Sequence, residues 1–160
     1  MKTINIEIKM ASGRSIKAEL YPEIAPVTVE NFTNLCNEHF FDGLIFHRVI
    51  AGFMIQGGGY DINWRHHEAK SIVGEFSANG FENNLKHTPG VLSMARTMVP
   101  DSASSQFFIM HQAAPHLDGQ YAAFGKVTEG MDVVNDIANV ATDMNDRPLA
   151  SVVIESIRVI

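Results

Sequence analysis

Ile4, Ile6, Ile8 and Met10 alternate with Asn5, Glu7 and Lys9, the period of a strand with one wet face. A turn-forming "ASGR" follows, and Ile16, Ala18 and Leu20 alternate again, which predicts a hairpin. From Pro26 the period changes, with Val29, Phe32, Leu35 and Cys36 at helical spacing. Pro26 suits the first helical position, and Glu30 suits the positive end of the helix dipole. A second helical face, formed by Val133, Val134, Ile137 and Ala138, lies within "GMDVVNDIANV". The rest reads as short strands near 46–50, 53–57, 91–95, 106–110, 122–128 and 152–159, punctuated by glycine and polar turns. Residues 59–88, rich in Gly, Asn and His, are the least regular part and read as long surface loops. The predicted class is mainly β: a closed antiparallel eight-stranded barrel, which leaves no exposed edge, capped by two α-helices. At 160 residues the chain is expected to form a single domain, 1–160.

Composition narrows the function classes. The formal net charge is -6 and Lys and Arg form no run, so a sequence-independent grip on nucleic acid is not expected. A single cysteine, Cys36, excludes an intrachain disulfide and points to a reducing compartment, the cytoplasm. "MKTINIEIKM" alternates from its start and lacks the apolar core of a signal peptide. No apolar run approaches the roughly 20 residues of a membrane helix.

Several chemistries fall away on spacing. "GGGYD" at 57–61 lacks the lysine and Ser/Thr of a phosphate-binding loop, and reads instead as a place where backbone turns or approaches closely. Among seven histidines, His66 and His67 are adjacent and no HExxH or paired-Cys spacing exists, so scattered surface histidines are expected rather than a metal site. Cys36 lies on the apolar helix face and reads as core. "NFT" at 31–33 matches a glycosylation acceptor but falls inside the helix.

"FHRVIAGFMIQGG", residues 46–58, is different: Arg48 stands among Phe46, Val49, Ile50, Phe53, Met54 and Ile55, with Gln56 eight residues on. On a strand, Phe46, Arg48 and Ile50 share one face. Two readings are open. Arg48 lays its stem over apolar surface with its head in water, or a guanidinium and an amide border an apolar site.

"SSQFFIM" (104–110) and "HLDGQYAAFGKV" (116–127) also set aromatics beside polar groups. With "FHRVIAGFMIQGG", "GEF" and "LKHTPGVLSMA", they closely resemble the cyclophilins, peptidyl-prolyl cis/trans isomerases of the β-barrel type. The resemblance runs nearly end to end, and "LSMARTMVPDSASSQFFIM" is more similar to bacterial members than to animal ones.

The resemblance implies an enzyme that rotates X-Pro peptide bonds and assists folding, with no metal or other cofactor. Its catalytic residues are expected to be Arg48, Phe53 and Gln56. Met54, Phe108 and Leu117 complete a proline pocket, Gln106 adds a polar contact, and the backbone of Ala95 and Arg96 pairs with extended substrate. His116 stands where many members carry tryptophan, Tyr121 replaces a histidine, and Arg96 an asparagine; all three belong to the expected binding surface. With His116, cyclosporin is expected to bind weakly. Partners are expected to be proline-containing peptides and unfolded or folding chains, met by a monomer, with no nucleic acid or membrane. A non-catalytic proline-peptide binding module of the same fold is the rival reading. A metal-dependent barrel using His66, His67 or His87 is a more distant one.

Overall fold

The computed structural model describes residues 2–160. The N-terminal alternation builds β1 (Ile4–Met10) and β2 (Ser15–Leu20), and the helical spacing builds α1 (Pro26–Asn37). There follow β3 (Leu44–Ile50), β4 (Met54–Asp61), β5 (Val91–Met94), β6 (Phe107–Met110), β7 (Ala123–Glu129), α2 (Met131–Ala138) and β8 (Ile154–Val159). Eight strands form one antiparallel sheet in the order β3-β4-β6-β5-β7-β2-β1-β8. The two ends approach each other: Gly43 and Phe46 donate backbone N–H groups to Ile154 and Val152 at 2.9 and 3.0 Å, and Ile45 bridges Val153. The barrel is nearly closed, which leaves little edge for another chain to pair with.

The interior takes the apolar positions of the alternation, among them Ile6, Ile8, Ile16, Leu20, Ile55, Ile109 and Ile157. Phe32 of α1 enters this core, its ring 5.0–5.3 Å from those of Phe41, Phe107 and Phe124. Truncating such a buried aromatic to alanine costs about 3–5 kcal/mol. Cys36 is buried beside them and burial pushes its thiol up to about 12, the behaviour of a core residue rather than a nucleophile. A second apolar cluster lies outside this core: Met54, Val91, Phe108, Met110, Leu117 and Ala123, with Phe53 and Tyr121 against it.

Three expectations need correction. Phe46 and Arg48 do not share a face, because the β3–β4 register shifts between them. That bulge turns Phe46 and Val49 into the core and leaves Arg48 outside. Residues 59–88 are not simply surface loop: β4 continues to Asp61, and Glu75, Phe76, Asn83 and His87 are buried. Buried Glu75 also takes the place expected of Glu30. One of its carboxylate oxygens accepts from the Thr28 backbone N–H at 2.6 Å and the Thr28 hydroxyl at 2.7 Å, satisfying the start of α1 from a distant loop. Asn83 ties that loop down by donating to the carbonyls of Glu75 and Ala123, both at 2.9 Å.

Candidate active site

Register sets three of the expected residues, Arg48, Gln56 and Phe108, in one row. Across β3, β4, β6 and β5, Arg48 is opposite Gln56, Gln56 opposite Phe108, and Phe108 opposite Ser93. Neighbouring strands lie about 4.8 Å apart, so residues scattered between positions 48 and 108 become side-by-side neighbours. Gly52, in the left-handed region at φ 80°, turns the chain from β3 to β4 and sets Phe53 beside the row. Gly57 permits the tight β3–β4 approach at the bulge: a Cβ there would lie 2.7 Å from the Ile45 carbonyl oxygen.

Arg48, Gln56 and Phe108 of this row line a cleft of about 140 Å³ together with Phe53, Met54, Ala95, Arg96, Leu117 and Tyr121. Two further expected residues stand at its margin. Gln106 accepts from the Gln56 side-chain amide at 3.1 Å, and the His116 ring lies 6.0 Å from that of Phe53. Arg48 is exposed and donates to Gln56 Oε1 at 3.4 Å. Among the described residues no carboxylate pairs with it. A long, weak hydrogen bond therefore leaves an uncompensated charge in a cleft it shares with Phe53, Met54, Phe108 and Leu117.

The opposite wall is fixed more firmly. The Arg96 guanidinium lies 4.6 and 4.7 Å from the ring centres of Phe76 and Tyr121. It also donates to the carbonyls of Gln120 (3.1 and 2.7 Å) and Thr97 (2.9 Å). This side chain is spent on anchoring. The Ala95 backbone N–H already donates to the Gln106 carbonyl at 3.0 Å, so it is not free to pair with another chain.

Sequence reasoning missed the support beneath Phe108. His87 stacks on that ring at 6.1 Å while Tyr121 meets it edge-on at 5.8 Å. Its two ring nitrogens lie 3.1 Å from Asp118 Oδ1 and 2.9 Å from Ser93 Oγ. Burial pushes the His87 pKa below its ordinary value, outweighing the upward pull of Asp118. Only the "LKHTPGVLSMA" and "HLDG" motifs, read together with the strand register, could have brought these three side chains into view.

Behind Arg48, His47 packs 4.8 Å from Tyr60 and 6.3 Å from Trp64, and its Nδ1 is buried with no partner among the described residues. Burial first, then the neighbouring charges of Arg48, Arg147 and His66, push its pKa down to about 4. His67 bonds Asp61 at 2.9 Å. Among the described residues no three His, Cys, Asp or Glu side chains converge as a metal site would need.

Comparison with known proteins bears on the family and the fold of the whole chain. The family described as cyclophilin type peptidyl-prolyl cis-trans isomerase/CLD matches residues 3–159. A peptidyl-prolyl cis-trans isomerase of Acinetobacter baylyi is 45% identical over 142 residues, covering 86% of this chain and 73% of that protein. Peptidyl-prolyl cis-trans isomerase B of Escherichia coli is 41% identical over 156 residues, covering 90% and 93%. A cyclophilin type isomerase of Cryptosporidium parvum, crystallised in the presence of the dipeptide Ala-Pro, superposes with a TM-score of 0.82 at 30% identity over 98% of both chains. The barrel and its matches define a proline isomerase fold. The chain belongs to the cyclophilin-type peptidyl-prolyl cis-trans isomerase family.

Proposed function

We propose that the chain catalyses cis/trans rotation of X-Pro bonds in the cleft between Arg48 and Arg96. The observation that carries this reading is the uncompensated Arg48 guanidinium, bonded to Gln56 at the rim of a small cleft whose apolar lining is Phe53, Met54, Phe108 and Leu117. Resonance between nitrogen and carbonyl gives the peptide bond a rotation barrier of ~18–20 kcal/mol. Twisting breaks that resonance and leaves a lone pair on the proline nitrogen. A planar fork of donors favours the twisted amide over either planar isomer. Phe53, Met54, Phe108 and Leu117 hold the ring while the preceding carbonyl rotates, and the Arg96 backbone guides the extended chain. No covalent bond is made or broken, so the step asks for neither nucleophile nor general base. Gln106 holds Gln56, and Tyr121 walls the cleft while clamping Arg96.

The substrates are proline-containing segments of unfolded or folding chains, met by a monomer in a reducing, cytoplasmic setting. Cys36 is unpaired and buried, and among the described residues no helix is long and apolar enough to cross a membrane. Exchange measured by NMR on an Ala-Pro peptide, with chelator present, is expected to show full acceleration. Peptide binding without acceleration would favour a pure binding module, and activity restored only by added metal would overturn the mechanism. His116 offers less apolar area than an indole, so cyclosporin should bind weakly and His116→Trp should tighten it. Tight calorimetric binding by the unmodified protein would show that this position does not set affinity.

A further inference from the structure

Two turns, Asp61-Ile62-Asn63-Trp64-Arg65 at the end of β4 and Asp143-Met144-Asn145-Asp146-Arg147 between α2 and β8, are built to one plan. In each, the aspartate Oδ1 accepts the N–H groups of the asparagine and the arginine. Those distances are 2.9 and 3.1 Å in the first turn, 2.8 and 3.0 Å in the second. In each, the aspartate N–H donates to the arginine carbonyl, at 3.2 and 2.9 Å. The fourth residue donates its N–H back to the aspartate carbonyl, at 2.9 and 3.1 Å. It sits in the left-handed region, Trp64 at φ 60° and Asp146 at φ 62°. A short polar side chain such as Asp146 is enough for that position. A tryptophan is a costly occupant, because left-handed backbone disfavours a bulky side chain. Strain of that kind clusters where a side chain serves function.

Both fourth residues reach the neighbours of Arg48. The Trp64 ring meets that of His47 edge-on at 6.3 Å. Asp146 accepts the Val49 N–H on its carbonyl at 2.8 Å. Because β3 ends the sheet order, its outer edge depends on such bonds rather than on another strand. The residues before and after Arg48 are thus held by the same position of the two turns.

Arg147 joins the turns to each other, its guanidinium 4.6 Å from the centre of the Trp64 ring. The side chain is exposed, and among the described residues it has no ion pair, so the indole face is its anchor. Tyr60 backs the cluster, 4.8 Å from His47 and 5.8 Å from Trp64. Arg48 itself is tied only by a long bond to Gln56, at 3.4 Å, and depends on its backbone as well for direction. A displacement of about 1 Å in a preorganised group is enough to slow a reaction severely.

We propose that Trp64 and Arg147 are positioning residues for the isomerisation, on the reading of Arg48 given above. Stacked on each other, they join the two turns into a brace that fixes β3 on both sides of the catalytic arginine. Neither side chain lines the cleft, so the brace acts only through the direction of the guanidinium.

The test reads kcat and KM separately, by NMR exchange on the Ala-Pro peptide. Trp64→Asn removes the ring but keeps a residue that tolerates left-handed backbone. Its kcat should fall about 3–10-fold with KM within about twofold, the pattern of a misaimed transition-state donor. Trp64→Phe keeps an aromatic face for the guanidinium and should recover most of the loss. Arg147→Gln, at an exposed position, should lower kcat by a similar factor, and the double variant by no more than the larger single loss. Should Trp64→Asn lose its fold, Arg147→Gln alone decides. In an Arg48→Ala background neither substitution should cost anything further, since no guanidinium is left to aim. Normal kcat in both single variants, with turnover still collapsed in Arg48→Ala, would overturn the brace and leave the cleft reading standing. So would the same fold loss in the Arg48→Ala background, or a loss confined to KM. Turnover by Arg48→Ala equal to that of the unmodified protein would sink the cleft reading, and the brace with it.

Discussion

Two recesses in this molecule each have an arginine at the rim. One is a groove of about 440 Å³ between the β1–β2 turn, α2 and residues 149–153. There Arg14 is held by Asp132 at 2.9 Å and by Asp136. The other is the smaller cleft of about 140 Å³, where Arg48 has only the neutral oxygen of Gln56. Size alone would choose the groove as the site. Chemistry chooses the cleft, because a charge already neutralised by two carboxylates has little field left for a substrate. Catalysis needs donors that stay unsatisfied until the transition state forms.

The comparison breaks most sharply at the two arginines. Arg48→Ala should cut kcat by about 10²–10³, as loss of one preorganised donor does elsewhere. Arg48→Lys should rescue little, since a point charge does not reproduce the planar fork. Ground-state peptide affinity should fall much less than the rate, because the interaction is strongest with the twisted amide. Arg14→Ala should leave turnover unchanged and lower the thermal midpoint slightly, as expected for an exposed ion pair. NMR exchange with titration reads both quantities from one peptide. Equal losses of rate and binding in Arg48→Ala would make Arg48 an anchor and erase the distinction from Arg14.

Periodicity carried the fold a long way. The hairpin, both helices and the six later strands lie within a few residues of where alternation and helical spacing put them. The β3 bulge was hidden, because a register shift depends on the partner strand and "FHRVI" reads as unbroken alternation. Glu75 was hidden for a related reason, since a cap supplied from 47 residues away leaves no local signature. For the cleft, residue types suggested an arginine beside apolar groups, but only the motifs' resemblance to a family gathered Ala95, Phe108, Leu117 and Tyr121 with it. The row Arg48–Gln56–Phe108–Ser93 exists only once strand order is known, so His87, Ser93 and Asp118 stayed out of sight.

A smaller effect is expected at Gln56. Its oxygen receives the Arg48 bond at 3.4 Å and its nitrogen donates to Gln106 at 3.1 Å. Gln56→Leu keeps the apolar bulk but removes the steering atom, so kcat should fall about 2–10-fold, the scale of one uncharged hydrogen bond. KM should barely move. A loss as large as that of Arg48→Ala, measured on the same peptide, would mean that Gln56 meets the substrate itself. The guanidinium would then not owe its aim to Gln56.

The smallest effect on turnover, and one read instead in stability, concerns His47 behind the cleft arginine. Burial, reinforced by Arg48, Arg147 and His66, lowers its pKa from 6.5 to about 4. Between those values the unfolded chain binds a proton that the folded protein refuses, so acid favours unfolding. The stability tied to neutral His47 is complete above about pH 6.5 and is lost as pH falls from there toward 4. His47→Phe keeps a ring against Tyr60 and Trp64 but cannot titrate, so its urea midpoint should fall less between pH 7 and pH 5. Some slope should remain, because the pKa of His87 is lowered too. Turnover per folded molecule should stay the same in both proteins, since a guanidinium remains charged throughout. Arg14→Ala should lower the midpoint alike at both pH values, because no depressed histidine stands behind that rim. If His47→Phe keeps the full acid sensitivity, the cleft arginine has no titrating group behind it and the two rims differ only in their carboxylates.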